Sequence, residues 1–135
     1  METRYLLDTN ICIYIRQKRP QEVFKRFSKL RAGEVALSVI TSGELLYGAA
    51  KSRHRTAALE RLRELFHLLP ALALPETAAE TYGTLRADLE SRGQMIGNND
   101  LWIAAHALTS NLILVTNNEK EFRRVRGLKV QNWVV

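Results

Sequence analysis

The sequence lacks the defining features of several large protein classes. Cys12 is the only cysteine among 135 residues, which excludes an intramolecular disulfide framework and favours a cytoplasmic location. Its place between two isoleucines is typical of a small buried hydrophobe rather than a nucleophile. Asp8 interrupts the first apolar stretch, so we expect no signal peptide. The longest apolar run, residues 68–74, contains Pro70 and is too short to span a bilayer.

Motifs for several common chemistries are also missing. Neither Gly-x-x-x-x-Gly-Lys nor Gly-x-Gly-x-x-Gly occurs, so the chain has no glycine-rich phosphate loop. The three histidines, at positions 54, 67 and 106, do not have the spacing of a zinc site, and no cysteine pair supports one. His106 lies in an apolar stretch, where a packed helix residue is more usual than a general base. No internal repeat or linker is visible, which predicts a single domain over residues 1–135.

The composition indicates a folded protein with an anionic partner. Hydrophobic residues make up 46% of the chain and charged residues 25%, as in globular proteins. Twenty Lys and Arg residues against fourteen Asp and Glu residues leave a formal charge of +6, which favours association with nucleic acid. The same balance also describes proteins that are simply soluble, so charge alone does not decide.

Strand-like and helix-like segments alternate along the chain. The predicted strands are residues 4–7, 35–40, 72–74, 112–116 and 129–133. The predicted helices are 9–16, 20–31, one beginning near Thr41, 54–69, 75–93, 100–110 and 118–124. This alternation predicts an α/β fold, with a mostly parallel central sheet covered by helices on both faces.

Acidic residues follow the predicted strands repeatedly. Asp8 comes directly after the first strand, Glu44 and Glu121 follow two others, and a Gly-Asn-Asn loop delivers Asp100 to the head of a helix. In open parallel sheets, ligands bind beyond the carboxyl ends of the strands, so these side chains can converge. Carboxylates without cysteine or histidine partners are hard oxygen ligands that suit Mg²⁺, with Mn²⁺ as a plausible substitute. The pattern predicts a metal-dependent nuclease with these four acids as catalytic residues.

Each acid also has a purely structural interpretation. Asp8 and Asp100 are well placed as helix N-caps, and residues 41–44 fit a capping box in which Glu44 bonds back to the helix start. Glu121 lies in a charged run that is typical of a solvated helix face. Capping and metal binding do not exclude each other, because a carboxylate is electrostatically stable at a helix N-terminus.

Further polar residues are expected to support the acids or to contact a nucleic acid. Thr116 and Asn117 end a strand and are predicted either to orient the metal site or to form a turn, and Asn10 is placed with them. The basic residues that we consider for RNA binding are Lys51, Arg53, Arg55, Arg86, Arg92, Arg123, Arg124 and Arg126. Most of these are expected to be ordinary solvated charges, and Lys51, Arg53, Arg86 and Arg92 are the principal candidates.

Four segments together resemble PIN-domain ribonucleases, and more narrowly the VapC toxins of bacterial toxin–antitoxin pairs. The segments are Leu-Asp-Thr-Asn at 7–10, Thr-Ser-Gly-Glu-Leu at 41–45 with Gly48 after it, Ile-Gly-Asn-Asn-Asp-Leu-Trp-Ile-Ala-Ala-His-Ala at 96–107, and Leu-Val-Thr-Asn-Asn-Glu-Lys-Glu-Phe at 114–122. They cover the chain in the order and at the size of that family. The resemblance implies a PIN-like three-layer α/β/α fold.

The resemblance also implies an activity, a cofactor and partners. It implies a Mg²⁺-dependent endoribonuclease that inhibits translation, held inactive by a VapB-type antitoxin, usually dimeric, and reaching operator DNA only through the antitoxin complex. Asp8 and Asp100 match the main metal ligands of the family, Glu44 the second acid and Glu121 the fourth. The Gly-Asn-Asn-Asp and Thr-Asn-Asn forms resemble toxins that cut initiator tRNA in its anticodon stem-loop. No membrane partner is implied.

One departure from the family and two rival functions bear on this interpretation. Many PIN domains carry Asp directly after the strand, where this chain has Asn117 and Asn118, so the fourth acid is Glu121 or Glu119 and the number of metal ions stays open. A non-catalytic nucleic-acid-binding regulator would leave the repeated acids unexplained. A phosphatase or receiver domain with Asp8 as nucleophile fits poorly, because Asn10 stands where a phosphatase needs a second Asp.

Overall fold

A computed structural model describes residues 2–134, in which five strands and seven helices alternate. The strands are β1 (Tyr5–Leu7), β2 (Val35–Ser38), β3 (Ala71–Leu72), β4 (Ile113–Val115) and β5 (Val130–Gln131). The helices are α1 (Thr9–Gln17), α2 (Gln21–Ser28), α3 (Val39–Ala50), α4 (Arg55–Leu68), α5 (Ala78–Ser91), α6 (Asn98–Thr109) and α7 (Glu119–Phe122). The predicted alternation is confirmed.

The strands form one parallel sheet in the order β3-β2-β1-β4-β5. The central strand β1 pairs with β2 on one side and β4 on the other, and its last residue, Leu7, lies opposite Leu37 and Val115. The residues that follow these three strands therefore leave the sheet at the same edge. From β1 the chain continues to β2 and β3 on one side of the sheet and later to β4 and β5 on the other side. In α/β sheets, ligands bind in the crevice at such a change of direction.

Helices cover both faces of the sheet, which confirms the predicted three layers. Along β1, Tyr5 and Leu7 point to one apolar cluster and Leu6 to the other. The first cluster includes buried residues of α1 to α4, and the second is built mainly from α5 and α6. A strand buried on both faces must be apolar throughout, and burying each such leucine contributes about 1.5–3 kcal/mol. None of the helices in residues 2–134 is long and apolar enough to cross a membrane.

The start of α3 differs from the prediction and removes the capping-box interpretation of residues 41–44. The helix begins at Val39, because the Ser38 side chain at the end of β2 accepts a hydrogen bond from the backbone N–H of Ile40 (3.2 Å). Glu44 is therefore the sixth residue of α3 rather than part of its cap. The Thr41 and Ser42 hydroxyls are buried without a hydrogen-bond partner in the described chain.

Other boundaries shift by a few residues. Helix α6 begins at Asn98 after an N-cap at Gly97, so Asp100 lies in its first turn and is not its cap. Helix α5 begins at Ala78, three residues after Pro75. These shifts leave the predicted elements and their order intact.

Candidate active site

Asp8 lies at the carboxyl end of β1, and its side chain is held in one orientation. It is only 5% exposed. One carboxylate oxygen accepts a hydrogen bond from the backbone N–H of Thr9 (2.8 Å), and the other accepts one from the Thr116 hydroxyl (2.8 Å). Asp8 is the N-cap of α1, as its structural interpretation predicted. Burial raises the pKa of Asp8 above its usual value, although these two hydrogen bonds oppose the rise.

Glu44 reaches the same edge from α3. Its Oε1 accepts a hydrogen bond from the Thr9 hydroxyl (2.7 Å). Because Thr9 directly follows Asp8 in the chain, this bond holds Glu44 close to Asp8. The negative charge of Glu44 is one of the causes that raise the pKa of Asp8. The hydroxyl of Thr9 is a contact that the sequence argument missed, although its position directly after Asp8 in the Leu-Asp-Thr-Asn segment was a usable signal.

Asp100 projects from the first turn of α6 towards the other acids. Burial, followed by the negative charges of Asp8 and Glu121, raises the pKa of Asp100 to about 7. Asp100 also forms a hydrogen bond with Glu121. A Cβ added at Gly97 would lie 3.5 Å from an Asp100 carboxylate oxygen and 3.9 Å from a Glu121 oxygen, which locates all three groups together.

Glu121, and not Glu119, is the fourth acid of the cluster. Glu121 Oε1 accepts a hydrogen bond from the Gly97 N–H (2.9 Å), and Oε2 accepts one from the Asn118 side chain. Burial acts to raise the pKa of Glu121, but the hydrogen bonds from Gly97, Asp100 and Asn118 leave it below its usual value. Glu119 instead bonds to Arg123 (2.8 Å) and Asn132 (3.2 Å). Glu121 is thus the more acidic carboxyl group of the pair, and Asp100 is the more basic one.

Thr116 joins the two halves of the cluster. Its hydroxyl donates to Asp8 and accepts a hydrogen bond from the backbone N–H of Asn118 (2.9 Å), whose side chain bonds Glu121. A continuous chain of hydrogen bonds therefore runs from Asp8 through Thr116 and Asn118 to Glu121. Asn118 occupies the position where the sequence suggested a missing acid, and it supports the acid three residues later.

The remaining predicted supporting residues lie outside this chain of contacts. Asn10 is exposed on α1. The Asn117 side chain donates to the Tyr14 hydroxyl (3.2 Å) and accepts from Asn132 (3.3 Å), which directs it away from the acids. His106 is buried in α6, as expected for a packed residue, and its Nδ1 lies 2.8 Å from the Ser38 hydroxyl.

The basic residues differ in how available they are. Lys51 and Arg53 are exposed at the end of α3 and just beyond it. Arg86 pairs with Glu90 (3.2 Å) and donates to the Tyr82 hydroxyl (2.9 Å). Arg92 donates twice to Asp88 (2.7 and 3.1 Å) and once to the Arg124 carbonyl (2.6 Å). This geometry favours a structural role for Arg92 over the RNA contact predicted for it.

The four carboxylates form an oxygen-only donor set. The ion pairs found in residues 2–134 involve none of them, so no cationic side chain lies within 4.0 Å to neutralise their charge. Within that same range, no three acidic, histidine or cysteine side chains are already arranged to ligate one metal ion. Glu44 and Glu121 are directed to Thr9 and Asn118 instead. The chemistry of the donor set fits a hard divalent cation, while the ligand geometry is not preformed.

Comparison with known proteins assigns the family. The profile of the PIN domain matches residues 5–128. The chain belongs to the PIN-domain family. It is 42% identical over 131 residues to ribonuclease VapC2 of Haemophilus influenzae, covering 97% of this chain and 98% of that protein. It is 38% identical over 130 residues to the tRNA(fMet)-specific endonuclease VapC of Shigella flexneri, covering 96% and 98%. These relatives place the chain among the VapC ribonucleases of the PIN-domain family.

The fold agrees with solved PIN-domain structures. The chain superposes with a TM-score of 0.90 and 39% identity on a chain of the crystal structure of VapBC2 from Rickettsia felis bound to a DNA fragment from its promoter, covering 97% of this chain and 99% of that one. The predicted family and three-layer fold are therefore confirmed. PIN-domain nucleases generally use a divalent metal, which agrees with the oxygen-only donor set.

Proposed function

We propose that this protein is a divalent-metal-dependent endoribonuclease, acting in the cytoplasm as the toxin of a VapBC-type toxin–antitoxin pair. The observation that carries the proposal is the convergence of Asp8, Glu44, Asp100 and Glu121 at one sheet edge, in a chain related to VapC ribonucleases. We take the chain to act as one PIN domain. A regulator that only binds nucleic acid would not require unneutralised acids at this edge.

The residues of this edge have separable roles. Asp8, Asp100 and Glu44 would hold the cation, for which we propose Mg²⁺ with Mn²⁺ as a substitute. When bound, that cation supplies Lewis-acid chemistry: it offsets the carboxylate charge and polarises a phosphodiester. Thr9 and Thr116 fix the orientations of Glu44 and Asp8. Glu121 lies against Asp100, and its negative charge helps to raise the pKa of Asp100.

The products follow from a hydrolytic route. Water attacking the phosphorus in line would leave 5′-phosphate and 3′-hydroxyl ends, because the RNA 2′-hydroxyl takes no part. We propose initiator tRNA, cut in its anticodon stem-loop, as the substrate, with inhibition of translation as the consequence. Support comes from the relationship to the tRNA(fMet)-specific endonuclease of Shigella flexneri. The formal charge of +6 agrees with an RNA partner.

The proposed antitoxin partner has a candidate binding groove away from the acids. The apolar faces of α2 and α4 contribute both to the core and to this groove. Between α1, α2 and α4 lies a cavity of about 320 Å³, and one of its leucines, Leu68, is 59% exposed. Its lining residues are Ile15, Arg16, Lys18, Phe24, Phe27, Glu64, Leu65 and Leu68. An amphipathic antitoxin segment fits such an apolar groove. We also propose that the toxin is a homodimer and meets operator DNA only through the antitoxin.

The decisive experiment is cleavage of total tRNA by the purified protein with Mg²⁺ or with EDTA, followed by sequencing of the fragment ends. Asp8→Asn is the test variant, and Glu90→Gln, an exposed carboxylate paired with Arg86, is the matched control. We expect discrete cuts that require both Mg²⁺ and Asp8 and that persist in Glu90→Gln. Cleavage that survives in Asp8→Asn would contradict the assignment of the site.

The same assay separates the substrate from the activity. Cuts confined to the initiator tRNA anticodon stem-loop would support the proposed target. Intact tRNA together with specific cuts in ribosomal RNA would contradict the proposed substrate but support the proposed ribonuclease activity. Binding of RNA without any cleavage would favour the non-catalytic regulator instead.

A further inference from the structure

A second groove opens directly beside Glu44. It has a volume of about 670 Å³ and lies between α3 and the start of α6. Its lining residues are Thr9, Val39, Ile40, Gly43, Glu44, Tyr47, Gly48, Lys51 and Asn99. Of these, Glu44 belongs to the carboxylate cluster, and Thr9 donates a hydrogen bond to it. A molecule in this groove would therefore touch the candidate active site.

Tyr47 presents an aromatic surface in this groove. Its side chain is 66% exposed, the largest exposure among the big hydrophobic residues in the described chain. It follows Glu44 by three residues on α3, a spacing that places the two side chains on the same helix face. The Lys51 ammonium, one turn later, lies 4.9 Å from the centre of the Tyr47 ring. An aromatic face and a cation therefore stand together next to a catalytic acid.

Two glycines, one on each side of Tyr47 in the sequence, leave the helix backbone uncovered by side chains. Gly43 and Gly48 lie within α3, where a glycine costs about 1 kcal/mol relative to alanine. A Cβ added at either position would meet no atom within 4 Å, so no packing in the described chain requires them. An external molecule that approaches the helix backbone closely would need glycine here, and its binding would offset this loss of helix stability.

Two other aromatic residues near the site, Tyr82 and Trp102, already pack against each other. Tyr82 and Trp102 stack on each other at 3.8 Å with their rings 13° apart. The Tyr82 hydroxyl also donates to Asn98 (2.5 Å) at the start of α6. This pair stabilises the helix that carries Asp100. Tyr47 has no such aromatic partner among the aromatic pairs seen in residues 2–134.

We propose that the Tyr47 groove is a nucleotide subsite of the ribonuclease, in which an unpaired base stacks on Tyr47 and an adjacent phosphate lies against Lys51. The proposal rests on the proposed ribonuclease function. Stacking on an exposed aromatic face requires a base that is splayed out of a helix, as in a loop. The subsite therefore selects RNA that is single-stranded beside the cut, and it orients the phosphodiester towards Glu44 and Asp8.

The test combines cleavage with a binding measurement that needs no cleavage. Single-turnover cleavage of tRNA is compared for Tyr47→Ala, Tyr47→Phe and the wild type. The control is Leu46→Ala, which changes an exposed α3 side chain outside the groove lining. In EDTA, a single-stranded RNA oligonucleotide containing 2-aminopurine reports stacking through quenching of its fluorescence. Size-exclusion chromatography with light scattering gives the mass of each variant.

We expect Tyr47→Ala to raise the half-saturating enzyme concentration for cleavage roughly 10-fold, as for loss of one base stack. The cleavage rate at saturation should change by no more than about 2-fold, since binding and not chemistry is altered. Tyr47→Phe and Leu46→Ala should behave as the wild type does, in cleavage and in quenching.

Each contrary outcome has its own meaning. If the wild type cuts RNA and Tyr47→Ala binds it equally well, the subsite is wrong and the ribonuclease stands. If Tyr47→Ala changes the mass of the particle while RNA affinity stays constant, the groove is an interface between copies of the chain, which also overturns the proposal. If the wild type cuts no RNA, the proposed function fails and the subsite fails with it.

Discussion

The two halves of the carboxylate cluster are built differently. Asp8 and Glu44 lie beside the sheet centre, and each accepts hydrogen bonds from uncharged donors of Thr9 or Thr116. Asp100 and Glu121 lie on the helices α6 and α7 and bond to each other. In the first half, hydroxyls and a backbone amide fix the acids. In the second half, the Gly97 N–H and the Asn118 side chain hold Glu121, while burial and neighbouring negative charges raise the pKa of Asp100 to about 7.

The two halves therefore differ in how firmly the protein alone fixes their carboxyl groups. Two donors at the end of β1 fix the orientation of Asp8 without any contribution from a cation. A protonated pair must lose its proton before both members can act as anions, so its geometry depends on pH and on ligand. The Asp8–Glu44 half, anchored by Asp8, therefore defines the site, and the Asp100–Glu121 half adjusts to what binds there.

The largest effect should come from comparing one acid of each half. Asp8→Asn should lower kcat/KM at least about 1,000-fold, because it removes several kcal/mol of charge stabilisation. Glu121→Gln should lower it only about 10-fold, because Glu121 acts through Asp100 and Gly97. Single-turnover RNA cleavage at pH 8 measures both, with thermal melts to show that each variant is folded. Equal losses in the two variants would remove the distinction between the halves.

The sequence predicted the places of Asp8 and Glu44 better than that of Glu121. Asp8 and Glu44 follow apolar strands whose period and burial are legible, so their convergence follows from parallel pairing. The partners of Glu121 could not be read in this way, because a four-residue helix gives no periodic signal. The start of α3 was misplaced for a local reason: Ser38 is both the last strand residue and the helix cap.

The basic residues were the least predictable part of the site. Arg92 and Arg86 have the same charge in sequence, but Arg92 is bound to Asp88 and a carbonyl while Arg86 lies on the surface. Which partner a long flexible side chain finds depends on packing between α5 and the chain after α7. The pairs of Arg92 with Asp88 and of Arg86 with Glu90 are i,i+4 pairs that the sequence shows, but the contact of Arg92 with the Arg124 carbonyl is set by tertiary structure and leaves no local pattern.

The next effect concerns Thr116, which links the two halves. Thr116→Val keeps the shape but leaves one Asp8 carboxylate oxygen and the Asn118 N–H without their partner, which should cost about 2 kcal/mol of unfolding free energy. Activity should fall as well, because Asp8 loses its orientation. Thr109→Val is the matched control, since Thr109 bonds Thr81 (2.8 Å) away from the acids. A loss of stability without loss of activity in Thr116→Val would show that Asp8 orients itself.

A smaller effect on stability should follow from neutralising Asp100. Its pKa is raised in the folded protein, so the folded state binds more protons and wild-type stability falls as pH rises from about 4 towards 7. Asp100→Asn removes this penalty and should stabilise the protein by about 1 kcal/mol at pH 8, and by less at pH 5. Urea unfolding at both pH values, without divalent metal, measures the difference.

Asp88 provides the control of opposite sign. Its hydrogen bond with Arg92 lowers the pKa of Asp88, so its contribution is present at neutral pH and is lost as the pH falls through the folded pKa. Asp88→Asn should therefore destabilise the protein at pH 8, where Asp100→Asn stabilises it. If both variants shift the free energy of unfolding in the same direction at pH 8, the raised pKa of Asp100 does not explain the effect of Asp100→Asn.

The smallest effect should come from the single hydroxyl that orients Glu44. Thr9→Val removes the hydrogen bond from Thr9 to Glu44 and keeps the backbone N–H that Asp8 accepts. Because Glu44 is only half-buried and water can replace the lost donor, kcat/KM should fall about 3-fold. Thr9→Ser, which retains the hydroxyl, should restore the wild-type value. A loss as large as that of Asp8→Asn would mean that Thr9 contacts the substrate, and the first half of the cluster would then include a third reacting group.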